Sequence, residues 1–188
     1  MDLTAGTILS DRYTIEEVIG EGGMAMVYRA RHTQLGTLHA VKVLTMTSRA
    51  VRERLLQEGR VQAQLRHPNI VAVTDVIEIH GQPGLVMELV QGPSLDDLVK
   101  QQKLTIEQAD AVGRGVLAGV AHAHAHGLIH RDLKPANVML QITDAGLIPK
   151  VTDFGLAKIM AVDDLKAKTR TGATMGTPQY MSPEQIRD

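Results

Sequence analysis

Alternating apolar and polar residues occupy the first third of the chain and predict short β-strands. Alternation at every second position is typical of a strand with one buried face. It predicts strands at Arg12–Ile19, at residues 26–32 and at Leu38–Leu44, and the glycines at 20, 22 and 23 are expected to end the first of them. Because only short segments separate these strands, we expect an antiparallel meander.

A helix and two further strands are predicted next. Apolar residues at helical spacing indicate a helix from about Ser48 to Leu65. The sequence His-Pro-Asn at 67–69 is expected to end it, because the residue before a proline avoids the α region. Two apolar runs, residues 70–79 and 84–90, then predict strands on either side of a turn.

The pattern becomes helical near residues 91–93 and divides the chain into two expected lobes, residues 12–90 and 91–188. Ser94 and Thr105 each begin a sequence that resembles a capping box. They predict a short helix at Leu95–Gln101 and a long helix from about Thr105 to His126. The expected buried face of the long helix comprises Ala109, Val112, Val116, Val120 and Ala123.

Composition narrows the class of protein. The 188 residues carry a net charge of -1, which gives no argument for nucleic-acid binding, and the 2% of aromatic residues imply an aliphatic core. The lack of cysteine excludes disulfides and thiolate metal ligands and fits a reducing compartment. No signal-peptide pattern and no apolar run of membrane-spanning length occurs. We therefore expect this segment in the cytoplasm, with a membrane anchor beyond residue 188 left open.

Two features of the first lobe have more than one interpretation. The sequence IGEGGMAMVY (residues 19–28) is either a hairpin or a place where glycine backbone approaches phosphate oxygens. A dinucleotide-binding site would need a helix after the glycines, but a strand is predicted there. Lys42 is either a solvated charge on an edge strand or a phosphate ligand, and Glu58 on the following helix would hold it by an ion pair.

The histidine-rich sequence HAHAHGLIHRDLKPANVML (residues 122–140) is either a metal site or a catalytic loop. A zinc-binding helix of the His-Glu-x-x-His type needs two histidines four residues apart, a glutamate and a third ligand. His122 and His126 have that spacing, but Ala123 occupies the glutamate position. His124 is expected to pack inside, because it lies four residues after the apolar Val120. These departures favour the catalytic loop.

Six motifs in a fixed order decide between these interpretations. After the glycines, Lys42 and Glu58 come His-Arg-Asp at 130–132 with Asn137, then Asp-Phe-Gly at 153–155, then Ser-Pro-Glu at 182–184. This is the ordered signature set of protein kinases. From about Arg12 to its last residue, the chain resembles the eukaryotic-like (Hanks-type) Ser/Thr protein kinases of bacteria.

The resemblance implies an α+β, bilobal kinase fold, with an antiparallel sheet and one helix in the N-lobe and a partial, mainly helical C-lobe. It implies transfer of a phosphoryl group from ATP to Ser/Thr hydroxyls on proteins, with Asp132 as catalytic base and Lys134 contacting the transferred phosphate. Asn137 and Asp153 would bind Mg²⁺. The residues implied to bind ATP are Ile19, Gly20, Glu21, Gly22, Gly23, Met24, Ala25, Met26, Val27, Ala40, Lys42, Glu58, Met87, Glu88, Val90 and Met139. His130 would pack against Phe154.

The threonine-rich stretch that follows residue 155 resembles a kinase activation segment. It implies autophosphorylation at Thr169, at Thr171 or at both, with Thr174 as a less favoured candidate, and Arg131 would pair with the phosphate. A kinase homodimer in which the reaction occurs in trans is the expected partner arrangement.

Three departures from the family pattern stand out. Ala25 replaces the third glycine, Gln62 occupies a usually apolar position, and the chain stops four residues after Glu184. The last suggests a kinase domain truncated after this motif. The alternative function is therefore a kinase-like ATP-binding fragment or scaffold without transfer activity.

Overall fold

A computed structural model describes residues 3–22, 25–44, 49–154 and 178–187, apart from the side chains at positions 49, 50, 51, 54, 58, 178, 186 and 187. The chain divides into two compact units. The first unit is Met1–Gln64 with Ala72–Leu89, and the second unit is Leu65–Val71 with Val90–Asp188. The second unit is therefore built from two separated stretches of chain.

The first unit contains one antiparallel sheet of six strands in the order β1-β2-β3-β4-β6-β5. The strands are β1 (Ile8–Leu9), β2 (Tyr13–Gly22), β3 (Ala25–His32), β4 (Leu38–Leu44), β5 (Val73–Ile79) and β6 (Gln82–Glu88). The predicted meander is confirmed by the pairing of β2 with β3 and of β3 with β4. The predicted break at the first glycines is wrong, because Gly20 and Gly22 are paired residues of β2.

The two faces of this sheet are covered differently. One face holds a buried cluster that includes Val41, Val43 and Val86. Helix α1 (Arg49–Gln62) lies on the other face, where a Cβ added to Gly59 would come within 2.9 Å of Leu85 Cδ2. The helix is shorter than predicted at its C-terminal end, since a turn begins at residue 63.

The described part of the second unit contains two helices after residue 90, a two-stranded sheet and a short helix near the end of the chain. They are α2 (Leu95–Gln101), α3 (Ile106–Ala125), β7 (Val138–Thr143), β8 (Gly146–Val151) and α4 (Pro183–Arg187). Single 3-10 turns occupy Pro135–Asn137 and Pro178–Tyr180. The separated stretch at 65–71 joins β8 through a parallel bridge between Ile70 and Val151.

Helix α3 packs through glycine as well as through apolar side chains. Its buried residues are Val112, Gly119 and Ala123, and Thr105 with Gln108 forms the predicted capping box. The predicted burial of Ala109 is wrong, because this residue is exposed. A Cβ on Gly119 would lie 2.6 Å from the Asn69 carbonyl oxygen, so the backbone at 69 lies where a side chain would otherwise be.

No helix among the described residues is long and apolar enough to cross a membrane.

Candidate active site

The predicted catalytic loop begins where α3 ends. Gly127 has a left-handed φ of 75°, and the Leu128 amide donates to the Ala123 carbonyl at 3.0 Å. Glycine in this conformation is a common way to end a helix. The chain then enters the His-Arg-Asp sequence with His130 buried.

Asp132 is the centre of a polar cluster. Lys134 Nζ forms an ion pair with Asp132 Oδ2 at 2.8 Å. Asn137 Nδ2 donates to the same oxygen at 3.2 Å and to the Asp132 backbone carbonyl at 2.8 Å. Among the described residues, Asp132 Oδ1 has no partner, which leaves one carboxylate oxygen able to accept a further hydrogen bond. The structure thus brings together three of the predicted site residues.

His130 links the Asp132 backbone to the segment before Asp153. Its Nδ1 accepts the Asp132 amide at 3.2 Å, and its Nε2 lies 2.8 Å from the Thr152 carbonyl. Because a carbonyl only accepts, Nε2 carries the proton and Nδ1 does not. Burial lowers the pKa of His130, which favours this neutral form. The predicted packing against Phe154 is confirmed by ring centroids 4.8 Å apart.

Asn137 and Asp153 lie on two backbone segments that are hydrogen-bonded to each other. The Thr152 amide donates to the Asn137 carbonyl at 3.0 Å, and Asp153 is the next residue. Asp153 has a φ of 65°, a left-handed conformation that costs a non-glycine residue about 1–3 kcal/mol. The hydrogen bond between the Thr152 amide and the Asn137 carbonyl, together with the contact of His130 with the Thr152 carbonyl, holds the segment that contains this strained residue.

The oxygen atoms of these two residues fit Mg²⁺. Among the described residues, both side-chain hydrogen bonds of Asn137 use Nδ2 and neither occupies Oδ1, and Asp153 supplies a carboxylate. Mg²⁺ prefers oxygen ligands and is commonly held by one or two protein groups together with substrate phosphates. No group of three His, Asp or Glu side chains among the described residues could hold a metal by itself. That finding is compatible with an ion whose remaining ligands come from a nucleotide.

The histidines before this loop contact one another. The His122 and His126 ring centroids are 4.5 Å apart, and His126 Nδ1 lies 2.8 Å from the His122 carbonyl. The His67 ring is 5.0 Å from that of His122. The predicted burial of His124 is wrong, because Ala123 takes the interior position and His124 is exposed.

Gln185 makes a contact to the catalytic loop that sequence analysis did not predict. Its Nε2 donates to the Arg131 carbonyl at 2.7 Å, and its Oε1 accepts the Ser182 amide at 3.1 Å. No sequence motif includes this glutamine, so sequence analysis had no signal that it contacts the catalytic loop.

Lys42 lies in the interior of the first unit's sheet. Its strand, β4, is paired on both sides, so the interpretation of Lys42 as a charge on an edge strand is excluded. Lys42 pairs directly with Leu85, and side chains of directly opposed residues point to the same face. Since Gly59 of α1 contacts Leu85, Lys42 lies on the helix-covered face.

The glycine-rich stretch forms the paired ends of β2 and β3. Gly20 pairs with Val27, and Gly22 pairs with Ala25. Among the described residues, a Cβ on Gly20 would contact only Val27, at 3.5 Å. The predicted residues Ile19, Glu21 and Met26 lie in the same two strands.

The other residues implied to bind ATP are distributed over both units. In the first unit, Ala40 and Met87 are buried partners across β4 and β6, and Glu88 is the last residue of β6. In the second unit, Met139 lies in β7 and Val90 is half-buried. The predicted Gly23, Met24, Thr169, Thr171 and Thr174 and the side chain of Glu58 lie outside the described residues.

Comparison with known proteins decides the family. Residues 13–188 match the protein kinase domain family. The chain belongs to the protein kinases. The predicted resemblance is therefore confirmed.

Curated bacterial kinases are similar over nearly the whole chain. The probable serine/threonine-protein kinase PknB of Lactococcus lactis is 41% identical over 97% of the chain. The serine/threonine-protein kinase PknB of Mycobacterium tuberculosis is 40% identical over 98% of it. The DNA damage-responsive serine/threonine-protein kinase RqkA of Deinococcus radiodurans is 39% identical over 100%. The chain spans only 29%, 30% and 28% of the lengths of these relatives.

Solved kinase structures share the fold. The Mycobacterium tuberculosis PknI kinase domain has a TM-score of 0.73 at 30% identity, covering 82% of this chain and 62% of its own. Rad53 1-466 in complex with AMP-PNP has a TM-score of 0.74 at 31% identity, covering 94% of this chain and 43% of its own. The predicted kinase fold, with an antiparallel sheet plus one helix and a partial, mainly helical second part, is confirmed.

Proposed function

We propose that this kinase transfers the γ-phosphoryl group of ATP to serine and threonine hydroxyls on proteins. The observation that carries the proposal is the arrangement around Asp132: Lys134 and Asn137 both hold Oδ2, at 2.8 and 3.2 Å. With one oxygen held, the other is oriented to accept a hydrogen bond from a substrate hydroxyl. The similar bacterial proteins are named serine/threonine-protein kinases, which supports the choice of substrate class.

The chain's own residues then divide the work of phosphoryl transfer, which depends on positioning and charge neutralisation. Asp132 accepts the proton of the attacking hydroxyl. Lys134 forms an ion pair with the Asp132 carboxylate, and we propose that it also neutralises charge on the transferred phosphate. Asn137 fixes the Asp132 backbone and side chain, which keeps the base in one orientation.

We propose Mg²⁺ and ATP as the cofactors. Mg²⁺, held by Asn137 and Asp153, would neutralise phosphate charge. In the first unit, Lys42 is proposed to bind ATP phosphates with the backbone of the glycine-rich strands, and Glu58 to orient it. The support is the interior position of Lys42 on the face covered by α1. The remaining predicted ATP ligands are proposed on the family likeness, and Rad53, with a similar fold, was solved with AMP-PNP.

Autophosphorylation at Thr169 and Thr171, in trans within a homodimer, is proposed as the regulation. Arg131 is exposed and directly precedes Asp132, so it is available to pair with a phosphothreonine. Peptide mapping after incubation with Mg-ATP should place phosphate on one or both threonines. Phosphate confined to other residues would contradict the proposal.

The transfer activity itself is tested by comparing wild type with Asp132→Asn, using radiolabelled ATP and a generic protein substrate. Asparagine keeps the size of aspartate but cannot act as the base, and general-base catalysis contributes about 10²–10⁴-fold in rate. We expect a loss of that order. Asp144→Asn, the same change at an exposed position in the turn between β7 and β8, serves as the control and should retain activity.

Equal labelling by wild type and Asp132→Asn would contradict transfer by this chain. Calorimetric titration with Mg-ATP then distinguishes the alternative. Nucleotide binding without Asp132-dependent labelling would identify an ATP-binding kinase-like fragment.

A further inference from the structure

The peptide group between Arg131 and Asp132 has side-chain partners on both of its polar atoms. Its N–H, on Asp132, donates to His130 Nδ1 at 3.2 Å. Its carbonyl, on Arg131, accepts from Gln185 Nε2 at 2.7 Å. A peptide group held at both ends has one orientation, and this one sets the direction in which the Asp132 side chain leaves the backbone.

The orientation of the Gln185 amide is fixed by what it contacts. The Arg131 carbonyl only accepts, and the Ser182 amide only donates. Nε2 must therefore face Arg131 and Oε1 must face Ser182, as the distances of 2.7 and 3.1 Å show. With both ends of the amide occupied, the side chain ties the first turn of α4 to the catalytic loop.

The backbone at this point needs such a contact. Arg131 has a φ of 68°, in the left-handed region that non-glycine residues rarely adopt. If the Gln185 contact were lost, the Arg131 carbonyl would lose this donor, and among the described side chains the peptide group would then be held only by His130. The peptide group could rotate, and the Asp132 carboxylate would lose its alignment.

We propose that Gln185 is a positioning residue for Asp132, which makes the catalytic base dependent on the folding of the segment that carries α4. The expected effect on turnover rests on the proposed kinase activity. The expected effect of Gln185 on the peptide group between Arg131 and Asp132 does not. Gln185 touches neither substrate nor reacting atoms. It acts through the Arg131 carbonyl, so it should change the turnover rate and leave nucleotide affinity unchanged.

Two variants test the proposal. Gln185→Ala removes both contacts, and Gln185→Glu keeps the acceptor for Ser182 but lacks the donor for Arg131 at neutral pH. Gln179→Glu is the matched control, because this exposed glutamine in the neighbouring 3-10 turn receives the same change of charge. The first readout is backbone hydrogen exchange over residues 128–136, measured by mass spectrometry. The second is kinase activity, resolved into kcat and KM for ATP.

We expect exchange at the Asp132 amide to become about threefold to tenfold faster in both Gln185 variants, the effect of losing one hydrogen bond. We expect kcat to fall by the same factor with KM for ATP unchanged, and the control to match wild type.

Unchanged exchange in both Gln185 variants would overturn the proposal, whatever the activity. Faster exchange with unaltered kcat would also overturn it, because the contact would then be only structural. If wild type showed no transfer, the proposed function would fail by itself, and the exchange experiment would still decide whether Gln185 holds this peptide group.

Discussion

Replacing Gly119 with alanine should destabilise the second unit, whereas the same change at Gly113 should stabilise it. Both residues lie inside α3, so both variants gain the helix propensity of alanine, about 1 kcal/mol. A Cβ on Gly119 would lie 2.6 Å from the Asn69 carbonyl oxygen, but one on Gly113 would meet no atom of the described residues within 4 Å. Because the obstructing atom belongs to the backbone, the helix or the segment at 69 must move. Overpacking of this kind costs about 1–3 kcal/mol.

The difference between the two variants isolates this packing cost, because the propensity gain cancels. We expect Gly119→Ala to be less stable than Gly113→Ala by about 1–3 kcal/mol, with each kcal/mol lowering Tm by about 2–4 °C in a chain of this size. Urea denaturation followed by circular dichroism measures the free energy of unfolding of each variant. Hydrogen exchange of the α3 amides assigns the loss to the second unit. Equal stability of the two variants would refute the close approach of the Asn69 backbone to α3.

Two further predictions concern the first unit. Burial, and then the nearby His32, lower the pKa of His39, so the unfolded chain takes up the proton more readily and stability falls as the pH drops through about 6.5. Thermal denaturation across this range should give His39→Leu a shallower pH slope than wild type, and parallel slopes would contradict this account. Gln62 is 4% exposed, and its Nε2 has no hydrogen-bond partner in the described part of the chain. Gln62→Leu should raise the free energy of unfolding by about 1–3 kcal/mol in urea denaturation, and a gain no larger than that of exposed Gln64→Leu would show that the amide is satisfied.

Elements with a strong local signal were predicted to the residue. Strand β4 at Leu38–Leu44 follows from alternation, and α2 at Leu95–Gln101 follows from its capping residue Ser94. The structure of the glycine-rich stretch was not predicted correctly, because a residue pattern cannot distinguish a glycine in a turn from a glycine in a paired strand. The buried face of α3 was only partly predicted, since a helix that approaches backbone through Gly119 leaves no apolar signal at that position.

In the candidate site, the sequence likewise predicted the motif residues but not the long-range contacts. Asp132, Lys134 and Asn137 were predicted from their order in a motif, and the structure adds the contacts among them. The contact of Gln185 with Arg131 spans 54 residues and depends on how two distant segments fold. No local pattern encodes a contact of that kind. The tautomer of His130 is likewise set by its partners and not by its neighbours in sequence.

The two-part construction of the second unit has a consequence for synthesis on the ribosome. Asn69 Nδ2 donates to the Pro149 carbonyl, a residue 80 positions later in the chain. At about 5–20 residues per second, translation needs roughly 4–16 s to deliver that partner. By then every strand of the first unit has emerged, since its last stretch ends at Leu89. The segment at 65–71 is therefore synthesised together with all the strands of the first unit, several seconds before β8 can bind it.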